Sequence, residues 1–226
     1  MNKISSMPAA RIVGIELSAA KLSMSAAVTF LVLLVALHFI KPELDPSWRV
    51  ISEYEIGDYG WMMRLAFFSL AVSCIALIPA IQSQAVGFWG KLGLGLLLLS
   101  AAGMIIAGIF ISDSMTGSRT STGQIHELAA MLDSIPFAAL LINLTLIRKN
   151  PAWSSARGAL LWTAFLPILG LVVFVSSVAV MFPSDGKFGP DVLIGWPNRF
   201  FIATHAVWLI TVAWQALKLQ TESKME

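Results

Sequence analysis

The sequence predicts an all-α, polytopic integral membrane protein, a bundle of six transmembrane helices. Three observations carry that prediction. Of 226 residues, 57% are hydrophobic and only 12% charged, against about 25% charged in a soluble domain. The apolar residues gather into six stretches, each near the roughly 20 residues that cross a bilayer as a helix. The segments between them are short and polar, leaving no separate soluble domain. This composition excludes a soluble or disordered protein. The net charge of +2, with no basic cluster, gives no footprint for nucleic acid.

The first span is expected at 22–40, after a mixed N-terminal segment (1–21) with Lys3, Arg11, Glu16 and Lys21. Its apolar run ends in Lys41-Pro42-Glu43-Leu44-Asp45-Pro46, which is no cleavage signature, so it reads as an uncleaved anchor. The second span is expected at 61–81, the third at 88–111 and the fourth at 125–147. The fifth is expected at 159–182 and the sixth at 199–217, followed by a tail at 218–226. Pro79, Pro136 and Pro167 lie inside spans, where proline kinks a helix. Loops after spans two and four are short. Those after spans one, three and five are longer and rich in Gly, Ser, Asp and Pro.

Basic residues orient the bundle, since cytoplasmic loops collect Lys and Arg. With the N-terminus inside, the inner segments hold Lys3, Arg11, Lys21, Lys91, Arg148, Lys149, Arg157, Lys218 and Lys224. The outer side holds Lys41, Arg49, Arg64, Arg119, Lys187 and Arg199. Both termini are therefore expected in the cytoplasm, across a bacterial or archaeal plasma membrane. Trp48, Trp61 and Trp196 fall near outer boundaries and Trp89 and Trp153 near inner ones, the depth that amphipathic rings prefer. The single cysteine, Cys74, reads as a small core residue.

In this topology the polar residues converge on the outer side. His38 lies near the outer end of span one, and His126 opens span four. His205 lies deeper in span six, about 9 Å below Arg199 at 1.5 Å per residue. Asp113 ends span three. Asp133, seven residues past His126, is expected on nearly the same face of span four. A membrane aspartate needs a partner, and the sequence offers Arg64, Arg199 or a histidine. Ser-acid pairs follow each outward crossing, at Ser52-Glu53, Ser112-Asp113 and Ser184-Asp185, which raises an internal repeat as a reading.

Several chemistries fit these residue types. Zinc could be held by His38, His126 and His205, although no two share a helix at metal-ligand spacing. Two histidines could ligate haem, but no haem-attachment motif is present. Asp113, His126, Asp133 and His205 are candidates for acid–base catalysis or proton relay. Ser52, Glu53, Arg64 and Arg199 are candidates for binding a lipid head group, the two arginines gripping a phosphate. The structural alternative is a buried network that only fixes packing, as in a scaffold or regulatory protein. A small-solute transporter is a third reading, although the broken helices of that class are scarce here. The expected partner is membrane lipid. Oligomeric state stays open.

Three segments together resemble a known family. Arg49–Met63 (Arg-Val-Ile-Ser-Glu-Tyr-Glu-Ile-Gly-Asp-Tyr-Gly-Trp-Met-Met) resembles the first outer loop of an uncharacterised six-span membrane family, number 998 among domains of unknown function. Gly108–Asp113 with Gly123-Gln124-Ile125-His126 resembles its second block, with Ile111-Ser112 where the family often has Pro-Thr. Gly195–Phe200 resembles its third, a Gly-x-x-x-Arg opening of the last span. The resemblance spans roughly Leu22–Leu217 and implies six spans without an assigned activity. It marks Ser52, Glu53, Asp113, His126 and Arg199 as pattern positions. The same plan is similar, by analogy only, to six-span proteins of lipid and GPI-anchor remodelling. It is also similar to seven-span zinc hydrolases of the alkaline ceramidase type, whose extra span and paired histidines are absent here.

Overall fold

The computed structural model describes residues 6–183 and 188–222, with side chains placed over 14–183 and 188–221. Among the described residues seven α-helices form: α1 (Ser6–Ile40), α2 (Gly60–Ile81), α3 (Gly87–Ile109), α4 (Ser121–Ala130), α5 (Ile135–Lys149), α6 (Arg157–Met181) and α7 (Gly195–Glu222). Two 3₁₀ turns, Ile51–Glu55 and Pro151–Ala156, shape connecting segments. Among the described residues six spans are long and apolar enough to cross a membrane, α4 and α5 together making the fourth. No β-strand occurs among the described residues.

The helices close into a ring. Each span packs on the next in sequence, α1 meets α7, and α2 also reaches α7. Lipid tails are as apolar as the side chains, so helices associate by close packing and buried polar contacts. The α1–α2 seam uses both. Ala20, Ala27, Ala66 and Ala71 are buried, and Ser73 Oγ donates to the Ser23 carbonyl at 2.8 Å. Across the ring, Asn143 of α5 donates to the Leu160 carbonyl at 2.6 Å and accepts from Trp208 Nε1 at 3.2 Å. Val32, Val35, Val172 and Val180 stay exposed, on α1 and α6 surfaces suited to lipid.

The helices differ from the expected spans in three places. The helix of the first span begins at Ser6, well before 22. The last begins at Gly195, whose backbone N–H bonds the Ser47 carbonyl at 3.0 Å. The fourth span is not continuous, and Asp133 therefore leaves the face that carries His126. The helix stops at Ala130 and restarts at Ile135. Asp133 Oδ1 accepts from Ile135 N at 3.1 Å, and Pro136 occupies the first turn of α5. Proline there gives up only an N–H that no helical carbonyl could reach. Pro136 thus begins a helix rather than kinking one. The break is held on α3, where Ser100 Oγ accepts from Ser134 N at 2.8 Å.

The tryptophans divide. Trp61, Trp89 and Trp196 are exposed, while Trp48 and Trp153 are buried. Trp153 donates to Gln84 Oε1 at 2.5 Å, and Arg49 lies over the Trp48 ring at 4.1 Å. Loop contacts cover these two rings within the protein.

Candidate functional site

The polar end of the bundle is built around the 41–59 loop. Lys41, buried at the end of α1, donates to the carbonyls of Tyr54 and Ile56 and draws the chain back over the helix ends. The 3₁₀ turn then points Glu53 and Glu55 inward. Glu53 is fully buried. Its Oε1 accepts from Arg49 at 2.5 Å, Ser114 Oγ at 3.2 Å and Met115 N at 2.9 Å. Its Oε2 is buried without a partner. One glutamate therefore ties the first loop to the second.

Glu55 does the same one step along. Its Oε2 accepts from Ser112 N at 3.0 Å and lies 3.3 Å from His126 Nδ1, while Oε1 is buried and unpartnered. Burial pushes the Glu55 carboxyl up to about 7, against the opposing pull of the Ser112 N–H and the Arg64 charge. His126 Nδ1 also faces the carbonyls of Phe110 (2.9 Å) and Ala107 (3.1 Å). A carbonyl only accepts, so Nδ1 carries a hydrogen. In the neutral ring the lone pair then sits on Nε2.

Asp113 has a different job. Its carboxylate accepts from Thr120 N at 2.8 Å and Thr120 Oγ1 at 2.7 Å. Thr120 caps α4, accepting from Gly123 N at 3.1 Å. A Cβ at Gly123 would run into the Asp113 carboxylate, so only glycine lets the helix start this close. The Thr120 hydroxyl and N–H hold the Asp113 carboxyl below its usual range.

Arg199 fastens the opposite side. Its Nε donates to His38 Nε2 at 2.7 Å, one terminal nitrogen to the carbonyls of Pro46, Arg49 and Gly195, and the other to Tyr54 Oη at 3.1 Å. His38 Nδ1 donates to the Leu34 carbonyl at 2.7 Å. Both nitrogens of His38 and most donors of Arg199 are thus engaged within the protein. A Cβ at Gly195 would meet the Arg49 carbonyl at 2.8 Å, which explains the glycine four residues before the arginine.

The model of a family described as a protein of unknown function (DUF998) matches residues 24–215. The chain belongs to the DUF998 family. Comparison with curated proteins and with solved structures finds no match. In this DUF998 protein the first loop, the span-three exit and the start of the last span meet at one polar end, though each is far from the others in sequence.

The sequence-predicted residues sort into three places. Glu53, Ser52, Asp113, His126 and Arg199 share the loop network, and the Ser112 and Ser52 hydroxyls touch at 3.3 Å, so the first two Ser-acid pairs meet. Ser184-Asp185 lies outside the described residues. Arg64 sits half-buried on α2, its charge acting on Glu55. Asp133 and His205 pair with each other deeper in the bundle, 3.2 Å apart. His38, His126 and His205 do not converge: among the described residues no group of three His, Cys, Asp or Glu is placed to hold a metal. Lys41, Tyr54 and Glu55 are network members that sequence reasoning did not single out. The signal was the Ser-Glu-Tyr-Glu run, of which the sequence reading took up only the Ser52-Glu53 pair.

Proposed function

We propose that this DUF998 protein binds the head group of an amphipathic molecule, a membrane lipid, at its polar, outward-facing end. One observation carries the reading: Glu53 and Glu55 each keep a buried carboxylate oxygen without a hydrogen-bond partner. Leaving a buried acceptor unmet costs about 1–3 kcal/mol, more when it is charged. A bound molecule that presents N–H or O–H donors would meet both. Arg199 supports such a site without touching the ligand, since its guanidinium is engaged elsewhere. The preferred head group on this reading carries an ammonium or hydroxyl, with Arg64 left to face a phosphate.

A second reading, a scaffold whose polar network only fixes the helices, is favoured by the bonds that run from loop to loop through Glu53 and Arg199. Native mass spectrometry of protein purified in mild detergent separates the two. The head-group reading expects one retained lipid class, bound about tenfold more weakly (about 1.4 kcal/mol) by Glu53→Gln and Glu55→Gln. Protein that carries no selected lipid, or variants that retain it as well as the parent, would leave the scaffold reading standing.

A further inference from the structure

We propose that Asp133 and His205 form a proton-binding site inside the membrane-spanning bundle, at the break in the fourth span. His205 Nδ1 lies 3.2 Å from the Ile202 carbonyl oxygen. That oxygen can only accept, so Nδ1 carries a hydrogen. The other ring nitrogen, Nε2, faces Asp133 Oδ2 at 3.2 Å, off hydrogen-bond alignment, and neither buried atom has another partner. His205 is fully buried, with the Phe201 ring against it at 4.7 Å. Two bare lone pairs at this separation repel, and no other donor relieves them. One proton between the two atoms turns the repulsion into a bond. On His205 it makes an imidazolium–carboxylate pair, and on Asp133 a carboxylic acid bonded to imidazole. Either way the site is neutral with the proton and negative without it.

The break supplies the geometry. Asp133 sits in the turn between α4 and α5, its Oδ1 fixed by Ile135 N, which leaves Oδ2 free to reach α7. An ionisable group at such a depth marks function more often than packing.

Few other charges bear on the site. From α2 the titratable neighbour is Cys74, near enough to Asp133 to feel its charge. From α3 the neighbour is Ser100, bonded to Ser134. On α7, Arg199 lies about 9 Å before His205 along the axis and is bonded to His38 of α1. On α4, His126 and Glu127 lie before the break, and His126 is bonded to the span-three carbonyls. Arg148 and Lys149 of α5 and Arg157 of α6 sit at the far ends of those helices, and Lys91 sits in the first turns of α3. The proton's affinity is therefore a property of the pair. The site is separate from Glu53 and Glu55 and stands whether or not a head group binds there.

The test is pH-difference infrared spectroscopy of the full chain in lipid nanodiscs, from about pH 5 to pH 8. The proposal expects, beside the Glu55 carboxyl band, a further carboxyl band and an imidazole band that disappear together in Asp133→Asn and in His205→Gln. A variant spectrum that keeps every wild-type band would overturn it, as would a wild-type spectrum without the further pair. Should a variant fail to fold, nitrogen-15 histidine NMR of the wild type decides. His205 must then keep hydrogen on Nδ1 at every pH while the Nε2 signal alone moves as the shared proton binds, and a bare Nδ1 or an Nε2 signal that stays fixed would end the proposal.

Discussion

The Nε–H of Arg199 donates to His38 Nε2 at 2.7 Å, which locks the first turns of α7 to the last turn of α1. The same guanidinium reaches Tyr54 Oη and the loop carbonyls. A lysine offers one ammonium and no planar fork, so Arg199→Lys leaves several buried acceptors unmet. We expect a loss of about 2–4 kcal/mol, measured by unfolding in mixed micelles. His38→Ala, which strands only Nε, is expected to cost less. An Arg199→Lys protein as stable as its parent would contradict this account.

Glu55 makes stability depend on pH. Its folded pKa, about 7, lies above the ordinary 4.5. The protonated acid is thus favoured by folding, and its contribution is complete below 4.5 and lost as pH rises through 7. Unfolding titrations should show stability falling across that window by at most about 1.4 kcal/mol per pH unit. Glu55→Gln should flatten the fall. An unchanged profile in the variant would assign the dependence to another group.

Thr120 both caps α4 and holds Asp113. Thr120→Val is expected to cost about 1–2 kcal/mol. Gly123→Ala, which drives a Cβ into the carboxylate, is expected to cost about 1–3 kcal/mol by overpacking. Asp113 titrates below its ordinary 3.8 when folded, so the contribution of the clamp is present above that value and disappears on acidification. Acid unfolding of Thr120→Val should begin at higher pH than in the parent.

The chain has one cysteine, Cys74, and it is buried. Intact cells should therefore show no background labelling with an impermeant maleimide. Thr116→Cys, in the span-three loop, is expected to label from outside, and Lys91→Cys only after permeabilisation. The reverse pattern would invert the orientation that the basic residues predict.

Most of the site's membership, but none of its wiring, is legible in the chain. The Ser52-Glu53 and Ser112-Asp113 pairs stand out as motifs. That Glu53 rather than Asp113 is the buried carboxylate depends on a 3₁₀ turn of five residues, too short to leave a periodic signal. Asp133-Ser134-Ile135-Pro136 carries the marks of a helix start. Inside an apolar run long enough to span, the same residues read as a kink.

Hydrophobicity is additive along the chain, so the sequence by itself determined six spans, an all-α bundle and the polar character of one end. Pairing is not additive. Which carboxylate meets which donor, whether Arg199 faces a ligand or a histidine, and that Asp133 reaches His205 across the bundle were decided only by tertiary structure. Those contacts join residues whose separation in sequence carries no periodic trace, and hydrogen-bond geometry selects among partners that composition leaves equivalent.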